Sequence, residues 1–183
     1  LTLDSNTAHT ELILSEGNRK VTRVRERQSY PDHPERFDEY HQVLCRESLT
    51  GHCYWETQWS GDACISVSYK EISRKGLSDD CEFGCNVNSW SLWCFNDRFT
   101  ACHNNNSTYI PPPSHDCKRV GVYLDCPAGT LSFYSVSDTH TLTHLHTFNT
   151  TFTRPLYAGF RVYPDSSVSL CETEHQRHTH TTG

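Results

Sequence analysis

Apolar and polar residues alternate along much of the chain with the two-residue period of β-strands. The clearest case is residues 53–59, where Cys53, Trp55, Thr57 and Trp59 alternate with Tyr54, Glu56 and Gln58, as in a half-buried strand. Similar short strands are predicted at residues 11–14, 21–27, 42–45, 63–69, 90–95, 99–103, 120–124, 131–133, 156–162 and 168–171. No long stretch has apolar residues at helical spacing, so the pattern predicts an all-β fold.

Turn-forming residues separate these segments. Residues 4–9 are rich in helix-capping types and predict a short N-terminal helical turn. Residues 30–40 carry two prolines, and residues 104–117 carry three in a row, so both are predicted to be long exposed loops. Gly129 can supply the positive φ of a hairpin turn between residues 120–124 and 131–133.

Composition narrows the class of partner. A chain of 183 residues can bury one sizeable core, and its net charge of −6 repels nucleic acid and anionic membranes, so neither is an expected partner. The first residue is Leu1, and no apolar run near either end could serve as a signal peptide or membrane span, so we expect a piece of a larger protein. In residues 21–27, Arg23, Arg25 and Arg27 share a face with Val21 and predict a solvated row of arginines.

The ten cysteines do not form paired short spacings. Cys45, Cys53, Cys64, Cys94 and Cys171 lie inside apolar or alternating runs, where a thiol behaves as a small buried hydrophobe. We therefore expect mostly free thiols in a reducing, cytosolic compartment.

Ordered motifs across nearly the whole chain resemble one family. The first fifty residues resemble the PRY element in Leu1-Thr2-Leu3-Asp4, residues 14–21 (LSEGNRKV) and His33-Pro34-Glu35-Arg36-Phe37. The remainder of the chain resembles SPRY in residues 49–56 (LTGHCYWE), Trp90-Ser91-Leu92, residues 119–125 (RVGVYLD), residues 129–134 (GTLSFY) and residues 155–160 (PLYAGF). These motifs are most similar to fish versions attached to tripartite-motif ubiquitin ligases, NOD-like receptors and stonustoxin-type venom subunits.

The resemblance implies a bent antiparallel β-sandwich of the concanavalin-like jelly-roll type. We expect one PRY-SPRY domain over residues 1–174, with PRY at 1–48 and SPRY at 49–174, followed by a disordered polar tail at 175–183. The chain departs from the family at Cys126, where the family often has Trp. The resemblance further implies a target-binding surface made by variable loops at one side.

The strongest candidates for that surface are Trp93 and Phe95. They share one strand face, and Leu92 and Cys94 share the other, so the two pairs must lie in different environments. If Leu92 and Cys94 enter the core, the aromatic pair stands outward and is a candidate hot spot. The alternative is that both aromatic rings pack under the loop at 104–117.

Loops that resemble the variable segments of the family supply further candidates. Tyrosine and arginine combine a large contact area with a polar group, which suits interfaces, although loop residues are solvated by default. These candidates are Tyr30, Asp32, Arg36, Arg74, Lys75, Asn105, Tyr109 and Tyr163.

No residue pattern in the sequence indicates a catalytic site or a cofactor-binding site. Cys102 and His103 are adjacent, but neighbours in a strand point to opposite faces. Zinc would require Cys81 and Cys85 with Cys102, His103 or His115, whose spacing is not that of a zinc finger, so we expect no metal and no cofactor. His140, His144 and His146 fall on one strand face by spacing; a metal or pH-sensing role is open, but an exposed polar face is the stronger interpretation.

The sequence thus predicts a protein-binding module, not an enzyme. We expect a monomeric domain that gives target recognition to a cytosolic innate-immune protein, either a tripartite-motif E3 ubiquitin ligase or a NOD-like receptor. The alternative is the C-terminal domain of a secreted pore-forming toxin subunit of the stonustoxin type. In a secreted protein, the sequons at Asn105, Asn106 and Asn149 would be glycosylation acceptors.

Overall fold

The computed structural model describes residues 1–96, 98–113 and 115–172, which form two antiparallel β-sheets packed face to face. Thirteen strands lie within these residues. Their bounds are β1 Leu12–Ser15, β2 Lys20–Arg23, β3 Gln42–Leu44, β4 His52–Ser60, β5 Ala63–Tyr69, β6 Ser89–Phe95, β7 Arg98–His103, β8 Asn106–Ile110, β9 Arg119–Asp125, β10 Thr130–Val136, β11 Leu142–Asn149, β12 Leu156–Val162 and β13 Ser167–Cys171. The prediction of an all-β antiparallel sandwich is confirmed.

The N-terminal third of the chain contributes strands to both sheets. The seven-stranded sheet has the order β1-β2-β13-β4-β9-β10-β11, and the six-stranded sheet has the order β3-β12-β5-β6-β7-β8. Strands β1 and β2 therefore extend the first sheet beside β13, whereas β3 extends the second beside β12. The PRY-like segment is thus integrated into the sandwich.

The core lies between the inner faces of the sheets. Trp55 and Trp59 of β4 are 1% and 5% exposed, as the alternation at residues 53–59 predicts. Trp59 meets Phe99 of the opposite sheet edge-on, with ring centroids 6.1 Å apart. Aromatic side chains from both sheets therefore interlock, which fixes how the sheets face each other.

Strand β5 is buried on both faces. Residues 70–88, which include a 3₁₀ turn at Asp79–Cys81, fold over part of the outer face of the six-stranded sheet. A second apolar cluster of Phe37, Leu44, Ile72 and Phe83 holds this segment in place. Because the cover is partial, one end of the outer face, around the end of β6, stays accessible to solvent.

The loop predicted at residues 104–117 begins instead with a strand. Asn104 and Asn105 adopt positive φ angles of 49° and 65°, and the chain turns back to pair β8 with β7. Positive φ at both central residues is the geometry of a tight hairpin turn, and asparagine tolerates it. The strand gave no alternating signal because it is an edge strand with its first four residues exposed.

Two further local expectations were wrong. Strand β2 ends at Arg23, whose half-buried guanidinium donates to the Val162 carbonyl at 3.4 Å, so no row of three arginines forms on a strand. A bulge between β10 and β11 places His146 opposite Phe133 and His144 opposite Tyr134, and His140 lies outside the strand. Because an extra residue reverses which side chains share a face, the three histidines do not line one face.

The N-terminal segment lies within the described residues, whereas the C-terminal tail does not. Residues 4–9 form a hydrogen-bonded turn at the position of the predicted helical turn, with the Thr7 N–H donating to the Asp4 carbonyl at 3.0 Å. The predicted polar tail at 175–183 lies outside the described residues.

Candidate functional site

Alternation along β6 divides its side chains between the core and the outer face. Leu92 and Cys94 are 0% and 3% exposed and face the opposite sheet. Trp93 and Phe95 point to the outer face of the six-stranded sheet and are half-buried. The structure therefore places the aromatic pair outward, beyond the part of the face that residues 70–88 cover.

Tyr163, the residue that follows β12, contacts this aromatic pair. Its ring meets Phe95 edge-on with centroids 4.6 Å apart, and Phe95 meets Trp93 at 6.1 Å. Edge-to-face contacts at these distances fix ring orientations. Burial above all, together with the nearby Cys64 thiol, raises the pKa of Tyr163, so its hydroxyl remains a neutral hydrogen-bonding group at physiological pH.

Arg161 continues the aromatic surface. Its guanidinium lies 4.7 Å from the Tyr163 ring centroid and 5.0 Å from that of Tyr40, and it forms a partly buried ion pair with Glu82. Stacking on two rings and pairing with a carboxylate hold the guanidinium in one position.

Strand β8 adds an exposed aromatic residue at the sheet edge. The register places Trp93 beside Thr100 and Thr100 beside Tyr109, so all three share the outer face. Tyr109 is 58% exposed. We call the residues Tyr40, Trp93, Phe95, Tyr109, Arg161 and Tyr163 together the outer-face site.

Asn105 lies at the turn that precedes β8. Its side-chain amide donates to the Asp79 carboxylate at 3.0 Å. This bond ties the β7–β8 turn to the segment that covers the neighbouring part of the sheet.

Two arginines predicted for the rim are buried. Arg36 is 4% exposed and donates to the backbone carbonyls of Pro31, Ser5 and Ala8. Arg74 is 9% exposed and likewise donates to backbone carbonyls. Burial lowers the pKa of both groups, but an arginine stays charged in this range. Both side chains hold loops together, and their charges do not face solvent.

Three other predicted residues surround the same loop, away from Trp93. The Tyr30 hydroxyl donates to the Leu12 carbonyl at 2.8 Å, and its ring lies beneath the Arg36 guanidinium. Lys75 donates to the carbonyls of His33 and Arg36. Asp32 is exposed at the mouth of an open cleft of about 460 Å³ that Lys75 also lines. These residues are not brought together with the aromatic pair.

Sequence reasoning missed Arg161, Tyr40 and Glu82. A signal for Arg161 was present, because it lies between Phe160 and Val162 in a strand, so alternation alone directs it to the outer face. Tyr40 and Glu82 come from irregular segments, where no period relates sequence position to direction.

One compact group has the side chains of a metal site. Among the described residues, ligand atoms of His9, Glu11 and His41 lie within 4.8 Å of one another. The Glu11 N–H donates to His9 Nδ1 at 3.0 Å, which occupies that lone pair and puts the proton of the neutral ring on Nε2. His9 then has no free lone pair, and the neighbouring Arg23 opposes a further cation, so the group does not fit a metal.

The adjacent residues Cys102 and His103, the other candidates for a metal or catalytic site, point to opposite faces of β7. His103 stacks on the buried Trp90 at 4.7 Å and its Nδ1 bonds to the Ser89 carbonyl, while Cys102 faces the opposite side of β7 next to Ser107. Burial raises the pKa of Cys102, which disfavours the thiolate that nucleophilic chemistry requires.

Comparison with protein-family models assigns nearly the whole chain. Residues 1–49 match PRY, the SPRY-associated domain, and residues 52–174 match the SPRY domain. The chain belongs to the SPRY family. The boundary between the two matches falls in the short connection between β3 and β4, so the PRY element supplies β1 to β3 and the SPRY element supplies the outer-face aromatic residues of β6 and β8.

The SPRY domain is similar both to fish toxin subunits and to a tripartite-motif protein. Stonustoxin subunit beta of Synanceia horrida is 43% identical over 163 residues, covering 88% of this chain and 23% of the toxin subunit. Tripartite motif-containing protein 16 of Mus musculus is 38% identical over 163 residues, covering 87% of this chain and 29% of that protein. The chain thus spans less than a third of the length of these relatives.

A solved structure supports the same assignment. The crystal structure of the TRIM65 PSpry domain superposes with a TM-score of 0.84 at 31% sequence identity, covering 94% of this chain and 90% of that one. Among the described residues of the SPRY domain, no helix has the length and apolar character needed to cross a membrane.

Proposed function

We propose that this SPRY domain binds a protein ligand at the outer-face site and gives target recognition to a larger innate-immune protein. The observation that carries the proposal is the set of interlocked, half-buried rings of Trp93, Phe95 and Tyr163 on the open part of the sheet. Aromatic groups in this state offer apolar area to a partner and are already ordered.

Preorganisation favours binding at this site over binding at the mobile side chains of ordinary loops. Ordering a flexible side chain at an interface costs about 0.5–1.5 kcal/mol. Trp93, Phe95 and Tyr163 restrain one another through ring contacts, and Arg161 is held between two tyrosine rings. The entropy cost of ordering these side chains is therefore largely incurred when the domain folds, and it is not incurred again when a partner binds.

The larger protein is proposed to be a cytosolic tripartite-motif ubiquitin ligase or a NOD-like receptor. Support comes from the similarity to tripartite motif-containing protein 16 and from the TRIM65 fold match. Catalysis or signalling would reside outside this chain, and the SPRY domain would act as a monomer that selects the target.

A second candidate is a domain of a stonustoxin-type toxin subunit. The observation in its favour is the 43% identity to stonustoxin subunit beta, which is as close a relationship as the tripartite-motif one. In that case the outer-face site would contact another toxin subunit or a surface component of the target cell.

Affinity capture with matched variants tests the binding site. The wild-type domain, Trp93→Ala and Leu142→Ala are used as baits in cell extract, and retained proteins are quantified by mass spectrometry. Leu142 is a suitable control because it is exposed on β11, at the edge of the other sheet. We expect a set of proteins retained by wild type and Leu142→Ala and lost with Trp93→Ala. Equal retention by all three folded baits would contradict the site.

A separate experiment distinguishes the two parent proteins. The full transcript that encodes this domain is sequenced, and its complete product is assayed for ubiquitin transfer and for lysis of red blood cells. Ubiquitin transfer supports the ligase proposal, and lysis supports the toxin. Light scattering of the isolated domain measures its molecular mass and tests whether the domain is monomeric.

A further inference from the structure

Two histidines from distant parts of the PRY element stack on each other beneath the end of β12. The rings of His9 and His41 have centroids 3.9 Å apart and an interplanar angle of 26°. His9 is 7% exposed and His41 is half-buried. The pair joins the N-terminal segment to the residues that lead into β3.

Hydrogen bonds fix the charge state that this stack requires. The Glu11 N–H donates to His9 Nδ1 at 3.0 Å, and His41 Nε2 is 2.8 Å from Glu11 Oε1. Because Nδ1 of His9 must accept, the ring is neutral with its proton on Nε2, next to the backbone of Asp38. Protonation of Nδ1 would set one N–H against another and break the bond to the Glu11 backbone.

The surroundings also oppose a positive charge on His9. Burial is the main cause that lowers its pKa, from 6.5 to about 4, with His41 and Arg23 adding to the effect and the Glu11 carboxylate acting against it. Burial also lowers the pKa of His41, and Arg161 of β12 and Arg23 of β2 lower it further. Glu11 is thus the one carboxylate facing two histidines and two arginines among the charged groups that act on the pair.

The histidine pair is connected to the outer-face site through Val162. The Val162 N–H donates to the His41 carbonyl at 3.0 Å, and Arg23 donates to the Val162 carbonyl at 3.4 Å. Val162 lies between Arg161 and Tyr163, whose side chains form part of the outer-face site. Release of His41 would therefore remove the bond on one side of Val162, whereas Ala63 of β5 still pairs with Val162 and the Tyr163 N–H still donates to the Asp62 carbonyl at 3.3 Å.

We propose that the stacked His9–His41 pair is an acid-sensitive latch that holds the N-terminal segment and the end of β12 together at neutral pH and opens on acidification. The direction in which the stability of the closed state changes with pH follows from proton linkage. The open state exposes His9 and takes up a proton near pH 6.5, whereas the closed state does so only near pH 4. The closed state therefore has its full stability above pH 6.5 and loses it as the pH falls toward 4. The inference rests on the histidine geometry and does not depend on what the outer-face site binds.

Hydrogen exchange in the isolated domain tests the latch without a partner. The protection factor of the Val162 amide, which corrects for the pH dependence of the intrinsic exchange rate, is measured by NMR between about pH 7 and about pH 4.5. We expect protection in the wild type to fall below the ordinary histidine pKa by up to about tenfold per pH unit for each proton taken up on opening, and His9 and His41 both contribute because burial lowers the pKa of each. The amide of Leu124, in the central strand β9, is the internal control and should keep its protection.

The matched variant is His9→Asn, whose side-chain oxygen can accept from the Glu11 N–H but cannot take up a proton. Its protection at Val162 should fall less steeply over the same pH range, because only His41 of the pair still takes up a proton on opening. An equal loss in the variant and the wild type would overturn the latch. A direct titration of the His9 ring in the wild type keeps the test decisive if the variant fails to fold. A His9 that titrates near pH 6.5 with its stack intact would equally overturn the proposal.

Discussion

The ring of Phe95 meets the ring of Tyr163 edge-on, with centroids 4.6 Å apart and an interplanar angle of 76°. Phe95 ends β6 and Tyr163 follows β12, and these strands are separated in the sheet by β5. The contact therefore spans the face of three strands. It gathers residues from separate segments into one apolar surface beside Arg161, and its energetic role can be measured.

Replacing either outward aromatic residue of β6 should weaken binding more than folding. Trp93→Ala and Phe95→Ala should each weaken partner binding by about 2 kcal/mol or more, as truncated aromatic hot spots do. Trp55→Ala is the core control and should cost about 3–5 kcal/mol of folding stability. The half-buried position of Trp93 predicts a clearly smaller loss of stability.

Thermal melts and a binding titration with a captured partner measure the two effects. A melting temperature for Trp93→Ala as low as that of Trp55→Ala would show that Trp93 acts as a core residue. The binding surface would then have to be sought at Tyr163 and in the PRY loop.

Arg36→Ala should be destabilising although arginine is usually a surface residue. The substitution leaves the carbonyls of Pro31, Ser5 and Ala8 without their donor, and we expect a loss of about 2–4 kcal/mol in the free energy of unfolding. Arg98→Ala, at an exposed position, should change it by less than about 0.5 kcal/mol. Urea denaturation of both variants checks the difference, and equal effects would mean that the buried hydrogen bonds contribute nothing net.

The Arg161–Glu82 pair should show measurable coupling in a double-mutant cycle. The two side chains are 21% and 18% exposed, and Tyr163 shields one side of the guanidinium. We expect a coupling energy of about 1–2 kcal/mol between Arg161→Ala and Glu82→Ala. The Arg19–Glu172 pair, 38% and 53% exposed, is the matched control and should give less than about 0.5 kcal/mol. Chemical denaturation at low and high salt provides the four stabilities, and a zero result for Arg161–Glu82 would contradict its role in ordering the site.

Two glycines with similar backbone angles should respond differently to alanine. Gly129 has φ of 70°, and a Cβ there would collide with the Thr150 carbonyl oxygen, whereas Gly51 has φ of 64° and open space around it. Gly51→Ala should cost about 1 kcal/mol from backbone strain alone. Gly129→Ala should cost about 3 kcal/mol or more, because strain adds to displacement of the chain after β11. Thermal unfolding of the two variants measures the difference. Similar losses of stability would show that the segment at Thr150 moves aside at little energetic cost.

Strand alternation predicted the parts of the site that lie on central strands. Trp93 and Phe95 had to face away from Leu92 and Cys94, because successive side chains of a strand point to opposite faces. Arg36 and Arg74 could not be assigned in this way. A charged residue in a loop is expected to be solvated, and only the folded chain shows that backbone carbonyls surround both guanidinium groups.

By itself the sequence determined the all-β class, most strand positions, the β9–β10 hairpin and the PRY-SPRY resemblance, because each depends on local period or on short ordered motifs. The tertiary structure alone decided that Asn106–Ile110 pairs as an edge strand, that a bulge separates His144 from His146, and that Arg161 joins Phe95 and Tyr163 on one surface. It also decided that His9 stacks on His41. These features depend on register and on contacts between residues far apart in the chain, which no local pattern of polar and apolar residues encodes.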